Sequence, residues 1–324
     1  MTDRSSFDAG SPRFQVLALD GGGAKALFTA HVLARLEADL DVNICDSFDL
    51  IAGTSAGGII ALALGAGIRP AEIADRYTEL VTKVFPQARR GLWNASRRLV
   101  RPTYESAALR AALVDLFGAR KLGDSTKRLV IPAWDAQNGA VHLFKTFHHP
   151  ELRRDWRIPM VDIALATSAA PTYFSVAKVD GQRFIDGGIW ANNPSVVAIT
   201  EAVRTMNMPL SSVRVLNVGT TDQHLTNTRQ MDNGGILTWA PHAISLVLTA
   251  GSRGGQGIAQ QLVGKNNYSR FDAMVPGGMY SLDKADAEDI AGHAASASRG
   301  LSPVYTKRFA SHLAPVFTPG DGAE

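Results

Sequence analysis

Twice within the first 65 residues, a short apolar run ends in a glycine-rich turn and is followed by a helical pattern, and this tandem constrains the fold more than any other feature. Residues 15–19, QVLAL, read as a buried parallel strand that stops at Asp20-Gly21-Gly22-Gly23. Leu33, Leu36 and Leu40 then recur at helical spacing, with Arg35, Glu37 and Asp39 among the polar positions. Phe48 to Ala52, FDLIA, repeats the strand, Gly53-Thr54-Ser55-Ala56-Gly57-Gly58 the turn, and IIALALGAG the helix. Apolar runs of this kind need cover on both faces, which places the strands in the middle of a layered structure.

The rest of the chain continues the alternation. One helix face, Ile73, Tyr77, Leu80 and Val84, follows Pro70, and another is marked by Leu109, Leu113 and Leu116. RLVIPAWDA from Arg128 and AVHLFKTF from Ala140 flank Gln137-Asn138-Gly139 as a hairpin. Further strands are expected at 183–185 and 213–218, and helices over 160–169, 194–206, part of 239–263 and 285–297. The pattern predicts an α/β fold with a mostly parallel central sheet and helices on both faces. No repeat or linker divides it, so residues 14–318 are expected to form a single domain between disordered ends at 1–13 and 319–324.

Composition excludes several classes. The 324 residues are 45% hydrophobic and 19% charged, enough apolar material for a large core. A net charge of +3 is too small a bias to argue for nucleic acid. The single cysteine, Cys45, excludes an intramolecular disulfide framework and a Cys-rich zinc site, and a reducing compartment fits. MTDRSSFDAGSPR lacks the apolar core of a secretory signal, and no window approaches ~18 uninterrupted apolar residues. A cytoplasmic protein that meets lipid from the aqueous side, peripheral at the inner membrane, is expected.

Three segments carry chemistry. Gly53-Thr54-Ser55-Ala56-Gly57 fits G-x-S-x-G in the strand–turn–helix context that this motif requires, which makes Ser55 a candidate nucleophile. The plainer alternative is a turn whose serine only caps the next helix. A base for Ser55 is not evident among the histidines: His142 sits in a strand pattern, His148 and His149 precede a proline, and His224, His242, His293 and His312 have no catalytic setting. Phe184-Ile185-Asp186-Gly187-Gly188 instead places Asp186 at the end of an apolar strand, although Asp-Gly alone also suits a simple turn. The amides of Asp20-Gly21-Gly22-Gly23, with Lys25 just beyond, can form an anion cradle, and the segment matches neither the dinucleotide nor the P-loop pattern.

Together these segments resemble the patatin-like phospholipases, which combine a DGGG-x-[KR] loop, a GxSxG elbow and a later DG[GA]. The likeness spans residues 15 to about 200, including Ala191 to Pro194 (ANNP), and departs from the family at Ala26, where glycine is usual. It implies a patatin-like three-layer sandwich and a Ser–Asp dyad of Ser55 and Asp186. It further implies an oxyanion hole from the amides around Gly21, Gly22 and Gly23, with no metal and no cofactor. The stretch 48–85 looks most like the bacterial members of antiphage defence, which a cyclic dinucleotide activates and which then degrade membrane phospholipid.

The resemblance leaves other readings open. Arg89, Arg90, Arg97, Arg98 and Arg101, interleaved with Leu92, Trp93, Leu99 and Val100, suit an anionic membrane surface or a solvated basic loop equally. Gly251-Ser252-Arg253-Gly254-Gly255 reads as part of a nucleotide site or, more simply, as a flexible loop. The alternatives to a phospholipase are a non-catalytic lipid or nucleotide sensor on the same fold, and a general esterase or acyltransferase using the same dyad.

Overall fold

The computed structural model describes residues 13–86, 101–223 and 232–320. Its strands are β1 (Phe14–Leu19), β2 (Leu50–Gly53), β3 (Leu129–Asp135), β4 (Ala140–Lys145), β5 (Ala177–Val179), β6 (Gln182–Asp186), β7 (Val213–Val218), β8 (Asp222–Gln223), β9 (Tyr268–Phe271) and β10 (Met274–Val275). The α-helices are α1 (Leu27–Leu40), α2 (Ala56–Gly65), α3 (Pro70–Val84), α4 (Ser106–Phe117), α5 (Met160–Thr167), α6 (Gly188–Ala191), α7 (Ser195–Thr200), α8 (Ile236–Val263) and α9 (Ala287–Arg308). Eight strands form one sheet in the order β5-β6-β3-β2-β1-β7-β9, with β4 beside β3, and β8 pairs with β10 separately.

Strand periodicity sorts the core into two layers. Leu17, Leu19, Ile51, Ile131, Leu216 and Val218 face one way, into a cluster with α1, α2, α3, α4, α5 and α9. Their neighbours Val16, Ala18, Leu50, Ala52, Val130 and Val215 face the other way, against Ala198 and Ile199 of α7 and Ala259 and Val263 of α8. The predicted α/β sandwich, mostly parallel and covered on both faces, is the observed architecture. Ala26, in the place of the family's glycine, is fully buried in the larger cluster.

Two features of the topology create the site. β1 lies between β2 and β7, both parallel to it, so the chain builds outward on both sides and leaves a crevice beyond the carboxyl end of β1. The second is an edge shared in succession. β4 pairs along one edge of β3, leaving the other to β2 in parallel at Leu129 and Val130 and to β6 antiparallel at Ala133 to Asp135. β2 and β6 therefore approach end to end, and their carboxyl termini, carrying Ser55 and Asp186, meet.

Several boundaries differ from the expectation. The helix expected over 194–206 is α7 followed by a wider π-turn, Glu201–Thr205, where buried Glu201 meets Lys145 Nζ at 2.6 Å and His148 Nε2 at 3.0 Å. Helix α9 runs past Pro303 to Arg308, because Tyr305 is fully buried there and its hydroxyl donates to Ser47 Oγ at 2.9 Å. Gly251 to Gly255 lie within α8 and not in a loop. Gly320, assigned to a disordered tail, donates its N–H to Phe147 O at 3.0 Å. Residues 1–12, the basic stretch from Arg89 to Val100, His224 and residues 321–324 lie outside the described residues.

Candidate active site

Ser55 sits between β2 and α2 with φ +54° and ψ −123°, a strained conformation for a side-chain-bearing residue. Three contacts hold it. Its N–H donates to Thr167 Oγ1 at 2.9 Å, and that hydroxyl donates to Pro132 O at 2.6 Å. Thr54 N–H donates to Leu19 O at 3.1 Å, and Thr54 Oγ1 to Ala191 O at 2.6 Å. Gly57 lets α2 start directly against β1, since a Cβ there would lie 2.6 Å from Asp20 O.

Strand β6 delivers Asp186 to the same point, and the serine hydroxyl donates to Asp186 Oδ2 at 2.7 Å. The other carboxylate oxygen, Oδ1, accepts Gly188 N–H at 2.6 Å. Burial raises the Asp186 pKa to about 6, against the opposing pull of its bonds from Ser55 and Gly188. Such a carboxylate is ionised at neutral pH yet considerably more basic than a solvated one.

The glycine turn after β1 forms the opposite wall. Asp20 is an anchor: its carboxylate accepts from Asn217 Nδ2 at 2.6 Å, Ser252 Oγ at 2.7 Å and Arg270 Nη1 at 2.8 Å. Burial works against the Arg270 charge, but Asp20 and Asp272 outweigh it and raise its pKa above the ordinary value. Gly21 N–H donates to Asn192 O at 2.9 Å, so this amide is already committed. Gly22 and Gly23 line the chamber with Ser55, and no acceptor among the described residues takes their N–H groups. Gly23 needs its lack of a side chain, having φ +57°.

The chamber over Ser55 is apolar, with Ile59, Leu80, Phe85, Leu109, Phe174 and Leu248 in its walls, and encloses only about 40 Å³ of free space. No histidine lines it among the described residues. His148 bonds Glu201 and His312 lies 2.7 Å from Asp49, both away from Ser55. A larger polar cavity of about 470 Å³ adjoins it and includes Lys25, His242, Arg253 and Arg270. Among the described residues, no group of three or more His, Cys, Asp and Glu side chains converges as a metal site, and no helix is long and apolar enough to cross a membrane.

Sequence reasoning named Ser55, Asp186 and the glycines, and the fold brings them together. It missed Thr167, Asn217 and Arg270, whose only local signal is a polar residue inside or beside an apolar element, and it read Ser252 as part of a nucleotide site or a flexible loop, not as a partner of Asp20.

Comparison with known proteins agrees with this geometry. The family model described as patatin-like phospholipase matches residues 17–199. A cGAMP-activated phospholipase from Pseudomonas aeruginosa is 34% identical over 331 residues, covering 96% of each chain. A protein of the same description from Escherichia coli is 40% identical over 68% of this chain and 65% of its own. Another from Vibrio cholerae is 38% identical over 64% of each. The chain belongs to the patatin-like phospholipase family.

Proposed function

We propose that the chain hydrolyses acyl esters of membrane phospholipids through Ser55 and Asp186, working from the aqueous side of the membrane, and that a cyclic dinucleotide switches it on. The observation that carries the chemistry is the 2.7 Å bond from Ser55 Oγ to a buried carboxylate whose pKa is raised to about 6. Asp186 takes the hydroxyl proton as Oγ attacks the ester carbonyl, and the amides of Gly22 and Gly23 receive the oxyanion. The C–O bond to the leaving alcohol breaks as Asp186 returns that proton. A water then attacks the acyl-serine with the same carboxylate as base, and fatty acid leaves. Gly21 serves by shape, its amide being held by Asn192.

Activation is supported by two observations. The relatives bear the description cGAMP-activated. The chamber's 40 Å³ holds a few waters and no acyl chain, whereas ligand pockets run to about 300–1,000 Å³. An activator that binds a wider form of this chamber more tightly would raise turnover by shifting the population towards it.

The test is lipid mass spectrometry of phosphatidylglycerol vesicles incubated with the full chain, with and without cGAMP. Fatty acid and lysophospholipid should appear on adding cGAMP and not with Ser55→Ala. Equal release by Ser55→Ala would end the hydrolase reading. Full release without nucleotide would end activation alone.

A further inference from the structure

Glycines lack the side chains that restrict a backbone, so a turn built from them does not hold its own amides in place. Gly22 and Gly23 can stabilise an oxyanion only when their N–H groups already point at the position where it forms, and other groups must therefore fix the peptide planes around them. Backbone partners supply part of that restraint. Gly21 N–H donates to Asn192 O at 2.9 Å, Lys25 N–H donates to Gly22 O at 3.2 Å, and Ala24 N–H donates to Leu282 O at 2.7 Å.

Side chains supply the rest. Thr220 Oγ1 and Asn192 Nδ2 donate to Gly21 O at 3.3 and 3.4 Å. The Tyr77 hydroxyl donates to Gly23 O at 3.1 Å, from a helix 54 residues further along the chain. The peptide between Gly23 and Ala24 is thus gripped at both ends, its carbonyl by Tyr77 and its N–H by Leu282 O. These grips act on the residue of the turn that has φ +57°.

Tyr77 stands on the apolar face of α3, buried in the larger core cluster, and it also lines the chamber over Ser55. Phenylalanine would serve packing at such a position, whereas a buried hydroxyl costs free energy unless it is bonded. Here the bond goes to the glycine turn. Burial pushes the Tyr77 pKa above its ordinary value, so the phenol keeps its proton and remains a donor at any pH where the dyad works.

We propose that Tyr77 is a positioning residue for the oxyanion hole, its hydroxyl holding the Gly23 carbonyl so that the amides of Gly22 and Gly23 converge on the oxygen that gains charge as Ser55 attacks. The role rests on the hydrolase reading above, and Tyr77 acts through the turn. Its effect falls on the tetrahedral state, where that oxygen is charged, more than on the substrate complex, where it is neutral.

The test is Tyr77→Phe, which removes one oxygen and keeps the ring, set beside Tyr305→Phe, which removes the buried hydroxyl bonded to Ser47 at the far end of the sheet. Hydrolysis of a fluorogenic short-chain ester by the full chain is measured with cGAMP present, at a temperature where melting curves show both variants folded. Tyr77→Phe should lower kcat by about tenfold or more and leave KM within about twofold of the parental value. A trifluoromethyl ketone reads the hole directly: Ser55 Oγ adds to its carbonyl carbon, the serine proton passes to Asp186, and the ketone oxygen becomes the oxyanion. Its inhibition should weaken in Tyr77→Phe by the factor that kcat/KM loses. Tyr305→Phe should keep the parental kcat and inhibitor affinity. Parental kcat and inhibitor affinity in Tyr77→Phe, a raised KM with kcat kept, or an equal loss in Tyr305→Phe overturns the positioning role and leaves the hydrolase standing. Hydrolysis that persists in Ser55→Ala overturns the hydrolase reading, and the role of Tyr77 with it.

Discussion

Asp186 is the residue on which activity and stability pull in opposite directions. Because folding raises its pKa to about 6, the folded chain holds this proton more tightly than the unfolded one does, with its ordinary value near ~3.9. The stability so gained is complete below about pH 4 and is lost as pH climbs through 6. Catalysis needs the ionised form, so acylation should rise through an apparent pKa near 6, and a profile flat down to about pH 4 would refute the buried-base assignment. Asp186→Asn should lower turnover by orders of magnitude and raise stability at pH 8 by on the order of 2–3 kcal/mol, a gain that vanishes below about pH 4. Paired melting curves at the two pH values check it. Ser55 and Asp186 were legible because each stands in a local motif. Thr167, which fixes the serine amide, was not, since its partner is 112 residues away and nothing around it marks the contact.

Among the elements, α2 depends most on the absence of side chains. A Cβ at Gly57 would press on backbone oxygens at the end of β1, which cannot swing aside. Gly57→Ala should therefore cost about 3 kcal/mol or more and lose ester hydrolysis as α2 is pushed off the strand. Gly257 in α8 has nothing within 4 Å of a built Cβ. Gly257→Ala should stabilise by about 0.5–1 kcal/mol, and chemical denaturation of the two variants separates a packed glycine from a spare one. The strand–turn–helix units were readable from apolar runs bounded by glycine. The antiparallel placement of β6 on the edge it shares with β2 was not, because pairing partners leave no periodicity in either strand. α9 was read short for a related reason: Gly300 and Pro303 argue locally against a helix that the burial of Tyr305 maintains.

For the whole molecule, the sheet separates function from anchorage. The site occupies the carboxyl ends of β1, β2 and β6. The amino ends of β1 and β2 are closed by α9, with Tyr305 bonded to Ser47, and Gln15 Nε2 donating to Ser47 O at 2.5 Å and Phe309 O at 3.1 Å. β1 spans roughly 17 Å between these ends. Tyr305→Ala should cost about 3–5 kcal/mol while leaving turnover near the parental value at temperatures where the variant is folded. Calorimetry and an ester assay on one preparation check both. The layered architecture was legible from the alternation of elements. The two joined cavities were not, because their walls come from segments as far apart in sequence as Gly22 and Leu282.

The central claim, that Ser55 is made nucleophilic by a buried aspartate without a histidine, is tested most directly by fluorophosphonate labelling followed by mass spectrometry of the peptides. The account predicts a single adduct on Ser55, formed far more slowly in Asp186→Asn and at the parental rate when His148 or His312 is replaced by glutamine. An adduct on another residue, or parental labelling of Asp186→Asn, would contradict it.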